Sequence, residues 1–533
     1  MSDEDQALEV VRRWSELDGE RGTWRAHWQE LLDHVMPRKA DVVRVRAQGE
    51  KRTDKQFDGT AGDAVDEMVS LLFNNMTSPS QRWFSMAPIG LERDRAVYDW
   101  LDASVELLLA EYRRSNLYQQ LLEAYVDLVT IGTAAIFSEE QPIERAGFNG
   151  FSFRTLPIAE YVVDIDHQGS VDTVYRRFEL TARQAMQKWG DKAGAAVREA
   201  FADPRRRDSM LAFIHGVMPR DDRHWHDRRA VAMPVRSIYV AERDKCVIAD
   251  FHDMPIHVAR WSTAAGESYG RSPAMKALPF VKVLNLIVRY GLEALPRALY
   301  PPMLVKEGTI VGGTLRLTPG AQNQFDGRAE DMPTELVTQA RFDVEHAKEE
   351  NYRQRIEMAF GVDQLRLKES PQMTAEEVIE RRSRRFQALS PATGRVEREL
   401  LKPLVERTWL MMFRAGAFGP PPPQLLELDD LEVVFEGPMA RAQRGQSLEV
   451  GMGLLRTLAP VGQIYPAVRD HFDAEAFARD AAVALGAGKY LREPEEIAGE
   501  RQASAQQQQQ AQQLDQGLAV ADTLARFQGG AGA

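Results

Sequence analysis

Residues 373–416 read MTAEEVIERRSRRFQALSPATGRVERELLKPLVERTWLMMFRAG, and this stretch sets the class of the fold. Thr374 followed by Glu377 has the spacing of a capping box, in which hydroxyl and carboxylate satisfy free N–H groups of a first helical turn. Apolar residues recur at Val378, Phe386, Leu389, Val396, Leu400 and Leu404, with Val405, Trp409 and Met412 on the adjoining stripe. Steps of mostly three, four or seven make one buried helical face. Gly416, Gly419 and the run Pro420 to Pro423 cannot continue a helix, so the stop is as well marked as the start. The pattern predicts one helix over 374–416, about 60 Å long at ~1.5 Å per residue and kinked at Pro391 and Pro403. An element of that length is a scaffold for assembly and not a catalytic loop.

Upstream the same period dominates. A helix is predicted from about Asp5 to Met36, with Trp14, Leu17, Trp24, Trp28, Leu31 and Val35 on one stripe, Arg21 in the remaining slot, and Pro37 as its end. Further helices are predicted over 61–75, 93–114 and 118–130, the last two with Val97, Leu101, Val105 and Leu108, then Leu121, Leu122, Tyr125 and Val129 inward. Gly132 breaks this pattern. Between Phe151 and Trp261 the period falls to two, at 161–165, 171–178, 237–240, 247–251 and 257–261, with a hairpin turn at Asp166-His167-Gln168-Gly169. A helix over 182–189 with Thr181 as N-cap should intervene. The fold class is therefore mainly α with an α+β region.

Ser272-Pro273 opens another helix, an N-cap Ser followed by Pro at the first position, where a missing N–H costs nothing. From there to Leu295 most of the circumference is apolar, and Lys282, Asn285, Arg289 and Glu293 form one narrow polar stripe. A helix lining a ring channel has this pattern; so does a helix at the edge of an ordinary core. Residues 297–341 are rich in Pro, Gly and polar residues with short strand-like pieces, and a helix is predicted over 344–360. Leu431 to Phe435 reads as a strand and 441–488 as two or three helices, before a low-complexity tail around Gln506 to Gln513.

The 533 residues are enough for several cores, and the single cysteine, Cys246, excludes a disulfide framework. The acidic start MSDEDQALEV lacks the regions of a signal peptide, and no window has the 18 or so uncharged apolar residues of a membrane span, so the sequence reads as that of a soluble protein. A net charge of −12 argues against a protein that grips nucleic acid over its whole surface, and is compatible with a conduit that DNA slides through.

No motif for catalysis or for a cofactor survives inspection. Gly486-Ala487-Gly488-Lys489 resembles the end of a P-loop, but Val483 replaces the required Gly and Tyr490 the required Ser or Thr. His215, His224, His226, His252 and His257 share a window with Cys246 without metal-ligand spacing, so core and surface histidines on strands are the expectation. Asp164 and Asp166 read as turn residues ahead of a two-metal nuclease pair. Arg381, Arg382, Arg384 and Arg385 are the densest basic patch; their i,i+4 pairing with Glu377 and Glu380 favours a solvated or inter-subunit face over a DNA contact. Residues 361–372 are long for a helix connection, as functional loops often are.

Several blocks together resemble the head-to-tail connector, or portal, proteins of T7-like short-tailed bacteriophages. They are Leu71-Leu72-Phe73-Asn74-Asn75-Met76-Thr77-Ser78-Pro79 with Arg82-Trp83-Phe84; Ser115-Asn116-Leu117-Tyr118 leading to Gly132-Thr133-Ala134-Ala135; Tyr269-Gly270-Arg271-Ser272-Pro273-Ala274 with Ala277-Leu278-Pro279; the long helix from Met373 through Leu404; and Glu436-Gly437-Pro438-Met439-Ala440-Arg441-Ala442-Gln443-Arg444. The resemblance implies a ring of twelve copies at one capsid vertex, assembled in the host cytoplasm, through which double-stranded DNA is packaged and ejected. Its partners would be the terminase motor, tail adaptor proteins, and the major capsid and scaffold proteins, with no membrane and no catalysis.

By the same resemblance, 1–150 and 151–271 would form the wing, 272–296 and 342–360 the stem helices, 297–341 the clip and 361–373 the tunnel loop. The long wing helix would be 374–416, the wing strand and crown helices 417–490, and the Gln-rich tail 491–533. The DNA channel would be lined by Lys282, Asn285, Arg289 and Glu293 and by Gln364, Arg366 and Lys368. The crown portion is short, which puts a long helical barrel in doubt. The rival classes are another virion structural protein, such as a scaffold or internal ejection protein, and a DNA-processing nuclease.

Overall fold

The N-terminal apolar stripe folds as two helices and not one, α1 (Asp3–Glu20) and α2 (Gly22–Val35). The break falls at Arg21, whose buried guanidinium donates from Nη1 to the carbonyls of Ile158 and Tyr161 (both 2.6 Å), from Nη2 to Ala159 (2.9 Å) and from Nε to Asp18 (2.8 Å). A cation can occupy a slot in an apolar stripe only where its rigid fork of donors finds acceptors, and here a bend of the α+β region supplies them. The spacing of the stripe carries no sign of that distant bend.

The computed structural model describes residues 3–44, 46–47, 49–88, 95–141, 147–220, 235–251, 254–301, 303–307, 310, 324, 326–335, 342–362, 391–426, 431–436, 452–454, 456 and 477. Met1–Pro438 form one compact unit and Met439–Ala533 another. The helices predicted over 441–488, the P-loop-like Gly486 to Lys489 and the Gln-rich tail therefore lie almost wholly outside the described residues.

Three more helices follow in the first unit, α3 (Thr60–Met76), α4 (Arg95–Arg114) and α5 (Leu117–Thr130). Leu121, Tyr125 and Val129 are fully buried, whereas Leu122, predicted inward with them, is 39% exposed, one step around the helix from the buried face. Strand β1 (Phe84–Pro88) was not legible as a strand; it lies between α3 and α4 and pairs antiparallel with β12 (Leu431–Phe435), Phe84 opposite Phe435.

The α+β region holds two antiparallel sheets. In the smaller, β2 (Thr133–Glu140) lies between β3 (Phe151–Leu156) and β9 (Ile256–Arg260). The larger runs in sequence order through β4 (Tyr161–Ile165), β5 (Val171–Thr181), β6 (Met210–Pro219), β7 (Val235–Ala241) and β8 (Cys246–Phe251). Alternation along the strands places side chains on both faces of it. Phe178, Phe213 and Tyr239 pack under α6 (Ala182–Trp189) and α7 (Ala195–Ala202), while Val162, Tyr175, Ile214 and Val240 pack under α1. Thr181 caps α6 in a full capping box with Gln184. Asp166 makes the predicted hairpin turn, accepting from the N–H groups of Gln168 and Ser170 at 2.8 Å.

Helix α8 (Pro273–Leu299) leads to a short pairing of β10 (Met303–Leu304) with β11 (Thr334–Glu335), and α9 (Phe342–Phe360) returns. Of the helix predicted over 374–416, the first part, with Thr374 and Arg381 to Arg385, lies outside the described residues. From 391 the chain is helical, but Glu397–Leu401 form a π-helical turn before α10 (Lys402–Arg414). Pro403 brings no N–H to the ladder, and the turn ahead of it widens so that the Lys402 N–H reaches the Glu397 carbonyl. Gly416, at φ +71°, stops the helix as predicted, with the Ala417 N–H on the Met412 carbonyl at 3.0 Å.

Candidate functional site

Helix α8 carries the predicted polar stripe, and the chain fixes its start rigidly. Ser272 accepts from the Met275 N–H at 3.1 Å and donates to the Thr130 carbonyl at 2.5 Å, joining the first turn of α8 to the last turn of α5. The Gly270 N–H reaches the Thr133 hydroxyl at 2.8 Å, and the Trp261 N–H reaches the Gly132 carbonyl at 2.9 Å. Two of the sequence blocks quoted above, around Gly132 and around Gly270, are therefore one structural joint.

Beyond this joint the stripe residues have unequal surroundings. Asn285 is buried: its Oδ1 accepts from the N–H groups of Phe57 and Asp58 at 2.6 and 3.0 Å, and its Nδ2 donates to the Val281 carbonyl at 2.8 Å. It fastens the segment before α3 onto α8. Lys282 is exposed and bonds to Glu30 of α2 at 2.5 Å. That hydrogen bond holds the Glu30 carboxyl below its ordinary pKa. Arg289 bonds to Glu293 one turn on at 2.9 Å, and its guanidinium lies 5.9 Å from the centre of the Phe57 ring. Gln364, Arg366 and Lys368 lie outside the described residues.

His34, Phe57, Lys282, Leu286, Arg289 and Leu292 contribute to a cleft of about 620 Å³ between α8, α2 and residues 54–57. Sequence reading missed this wall, because Phe57 and Asp58 are distant in sequence and belong to no periodic element. Asp58 also receives both Nε and Nη2 of Arg353, at 3.2 and 3.1 Å, so one short segment ties α8 to α9. Both ion pairs along the stripe are solvent-exposed and therefore worth about 1 kcal/mol or less each. The face they make is nearly neutral, and its cations can change partners at little cost.

The second half of α8 has few neighbours within the chain. Leu286 is 46%, Tyr290 58%, Leu292 55% and Leu299 66% exposed. The sequence pattern implies a helix packed on most sides; the single chain covers only its first half. Among the described residues no helix is long and apolar enough to cross a membrane.

The two described histidines of the window stand on different sheets, each against its own serine hydroxyl, with Arg407 near both. His215 is fully buried, stacked 3.9 Å from Tyr239, with Nε2 at 2.8 Å from the Ser237 hydroxyl; His257 is buried with Nε2 at 3.2 Å from the Ser138 hydroxyl. Burial, with Arg176, Lys188 and Arg407 nearby, pushes the His215 pKa well below its ordinary value. Burial, with Arg407, brings His257 to about 3. His224, His226 and His252 lie outside the described residues. Of the two aspartates, Asp166 is in its turn and Asp164 pairs with Arg13.

Comparison with known proteins places these observations in a family. Residues 7–491 match the family described as "Bacteriophage head to tail connecting protein". The chain is 31% identical to a "Probable portal protein" of Bordetella phage BPP-1 over 545 aligned residues, covering 99% of this chain and 96% of that protein. It is 28% identical to a "Portal protein" of Salmonella phage epsilon15, covering 96% and 93%.

Proposed function

The chain belongs to the bacteriophage head to tail connecting protein family and is a portal protein of the virion, and from that premise we propose that twelve copies form a ring at one capsid vertex. The ring is the conduit for double-stranded DNA during packaging and ejection, and it docks the terminase motor, the tail adaptors, and the capsid and scaffold proteins. It acts mechanically and electrostatically, with ATP hydrolysis belonging to the separate motor. In this reading α8 and α9 are the stem around the bore, residues 297–341 the clip, 361–373 the tunnel loop and 417–490 the wing strand and crown. Lys282, Arg289 and Glu293 face the bore, with Gln364, Arg366 and Lys368 on the loop above them, while Asn285 holds the stem to the wing.

The observation that carries the ring is the bare second half of α8, which a monomer in water leaves unpacked and an assembly covers. The weak cis pairs of Lys282 with Glu30 and Arg289 with Glu293 support a wall that DNA slides past, since paired cations contribute little phosphate affinity.

Electron microscopy of the purified protein, with a solution mass, tests the reading. Twelve chains of 60.2 kDa total about 720 kDa. Rings with a central hole near that mass are expected, and a monomer or fibre under assembling conditions overturns it. In such rings Arg289→Glu should alter DNA retention and leave the ring intact; unfolding instead would remove Arg289 from the channel wall.

A further inference from the structure

Successive residues of α8 step around its axis by about 100°. Ala277, Val281 and Leu284, all buried, fall on one side. Val283, Leu286 and Tyr290, all exposed, fall on the opposite side. Lys282, Arg289 and Glu293 run along the edge of that bare apolar stripe. Helix α9 is also two-sided: Ile356 and Phe360 are buried, while Ala347, Asn351, Gln354 and Met358 are exposed at steps of three and four. Glu350 is exposed beside them. One chain therefore presents two different uncovered faces on its two paired helices.

We propose that the bare stripe of α8 packs against the outer face of α9 in the next copy of the chain. This rests on the ring reading and names the contact that builds it. Two unlike faces meeting head to tail make a heterologous interface, the kind that closes into rings. The height at which they meet is fixed within each chain. Phe280 of α8 lies 6.4 Å, ring centre to ring centre, from Tyr352 of α9, and the β10–β11 pairing joins the far ends, so the helices run antiparallel. A rotation about an axis along the helices preserves height. Leu286 then meets the small side chain of Ala347, Val283 meets Asn351, and Lys282 stands level with Glu350 of the neighbour. Apolar surface meets a small, uncharged stripe, and a cation at its edge meets an acid.

The test replaces Leu286 with a benzophenone amino acid in the full chain and mixes isotopically heavy and light protein before assembly. On irradiation, position 286 should join residues 347–354 in heavy–light hybrid peptides, with a ladder of linked chains on a denaturing gel. Links confined to one chain, or from 286 to α8 of a second copy, overturn the interface. In parallel, Tyr290→Glu and Ala347→Arg should each lower the fraction of rings at least tenfold while the circular dichroism stays that of the folded chain. Intact rings from both variants overturn the interface and leave the ring itself standing, whereas a wild-type protein that makes no rings overturns the ring reading.

Discussion

The carbonyl oxygen of Gly132 lies 2.1 Å from the point where a Cβ on Gly270 would stand, so neither residue leaves room for a side chain on the other. Gly132 also sits at φ +83°, in the left-handed region that glycine tolerates best. The contact joins the end of α5 and the start of β2 to the loop that feeds α8, so the aim of α8 depends on it. Gly270→Ala must push backbone against backbone, and a loss of about 3 kcal/mol or more is expected. Gly19→Ala, with nothing within 4 Å of its new methyl and a helical site, should be neutral or slightly stabilising. Urea unfolding of the two variants beside the wild type checks this, and equal midpoints for all three would show that the joint tolerates a side chain.

A second joint crosses the π-helical turn. Glu399 sits in that turn and accepts from the backbone N–H of Arg260 at 2.9 Å and from its Nη2 at 3.0 Å, while the same Nη2 also reaches the Gly169 carbonyl at 2.7 Å. Arg260 is 2% exposed, so its charge depends on this carboxylate. Glu399→Gln keeps the shape and leaves a buried guanidinium without its counter-charge; a cost of about 3 to 5 kcal/mol is expected. The variant pair Arg260→Met with Glu399→Leu should recover much of that loss, because an apolar pair needs no neutralisation. Thermal unfolding of the single and double variants measures the difference, and a double variant as unstable as Glu399→Gln would mean the ion pair is not the cause.

The legible parts of the fold are those set by neighbours in sequence. Caps such as Thr181 and Ser272, the Asp166 turn and the stop at Gly416 depend on a few adjacent residues, and they stand where the spacing put them. What was missed depends on distant partners. Arg21 breaks the first helix because carbonyls around Ile158 receive it. Strand β1 exists because β12, near the far end of the first unit, pairs with it. At the site, the stripe of Lys282, Asn285, Arg289 and Glu293 was legible as a pattern, but the burial of Asn285 was not, since Phe57 and Asp58 reach it from before α3.

The two buried histidines set the acid side of stability. Both are neutral in the folded chain, His215 facing Arg176, Lys188, Arg407 and the stacked Tyr239, and His257 facing Arg407. In the unfolded chain each takes up a proton below about pH 6.5. Their folded pKa values are depressed, so their contribution is complete above about pH 6.5 and is lost as pH falls, continuing for His257 toward its folded value of about 3. Each can remove up to about 1.4 kcal/mol per pH unit across that window. Glu30 and Asp33, also depressed, add their own losses only near and below their ordinary carboxylate range; above it His27, which burial lowers too, adds to the fall, while Asp127 and Asp172, raised by burial, act against it. Urea midpoints should fall from about pH 6.5 to about pH 5, and His257→Asn should flatten the fall by up to about 1.4 kcal/mol per pH unit. A slope unchanged in His257→Asn would mean that the acid sensitivity arises elsewhere in the chain.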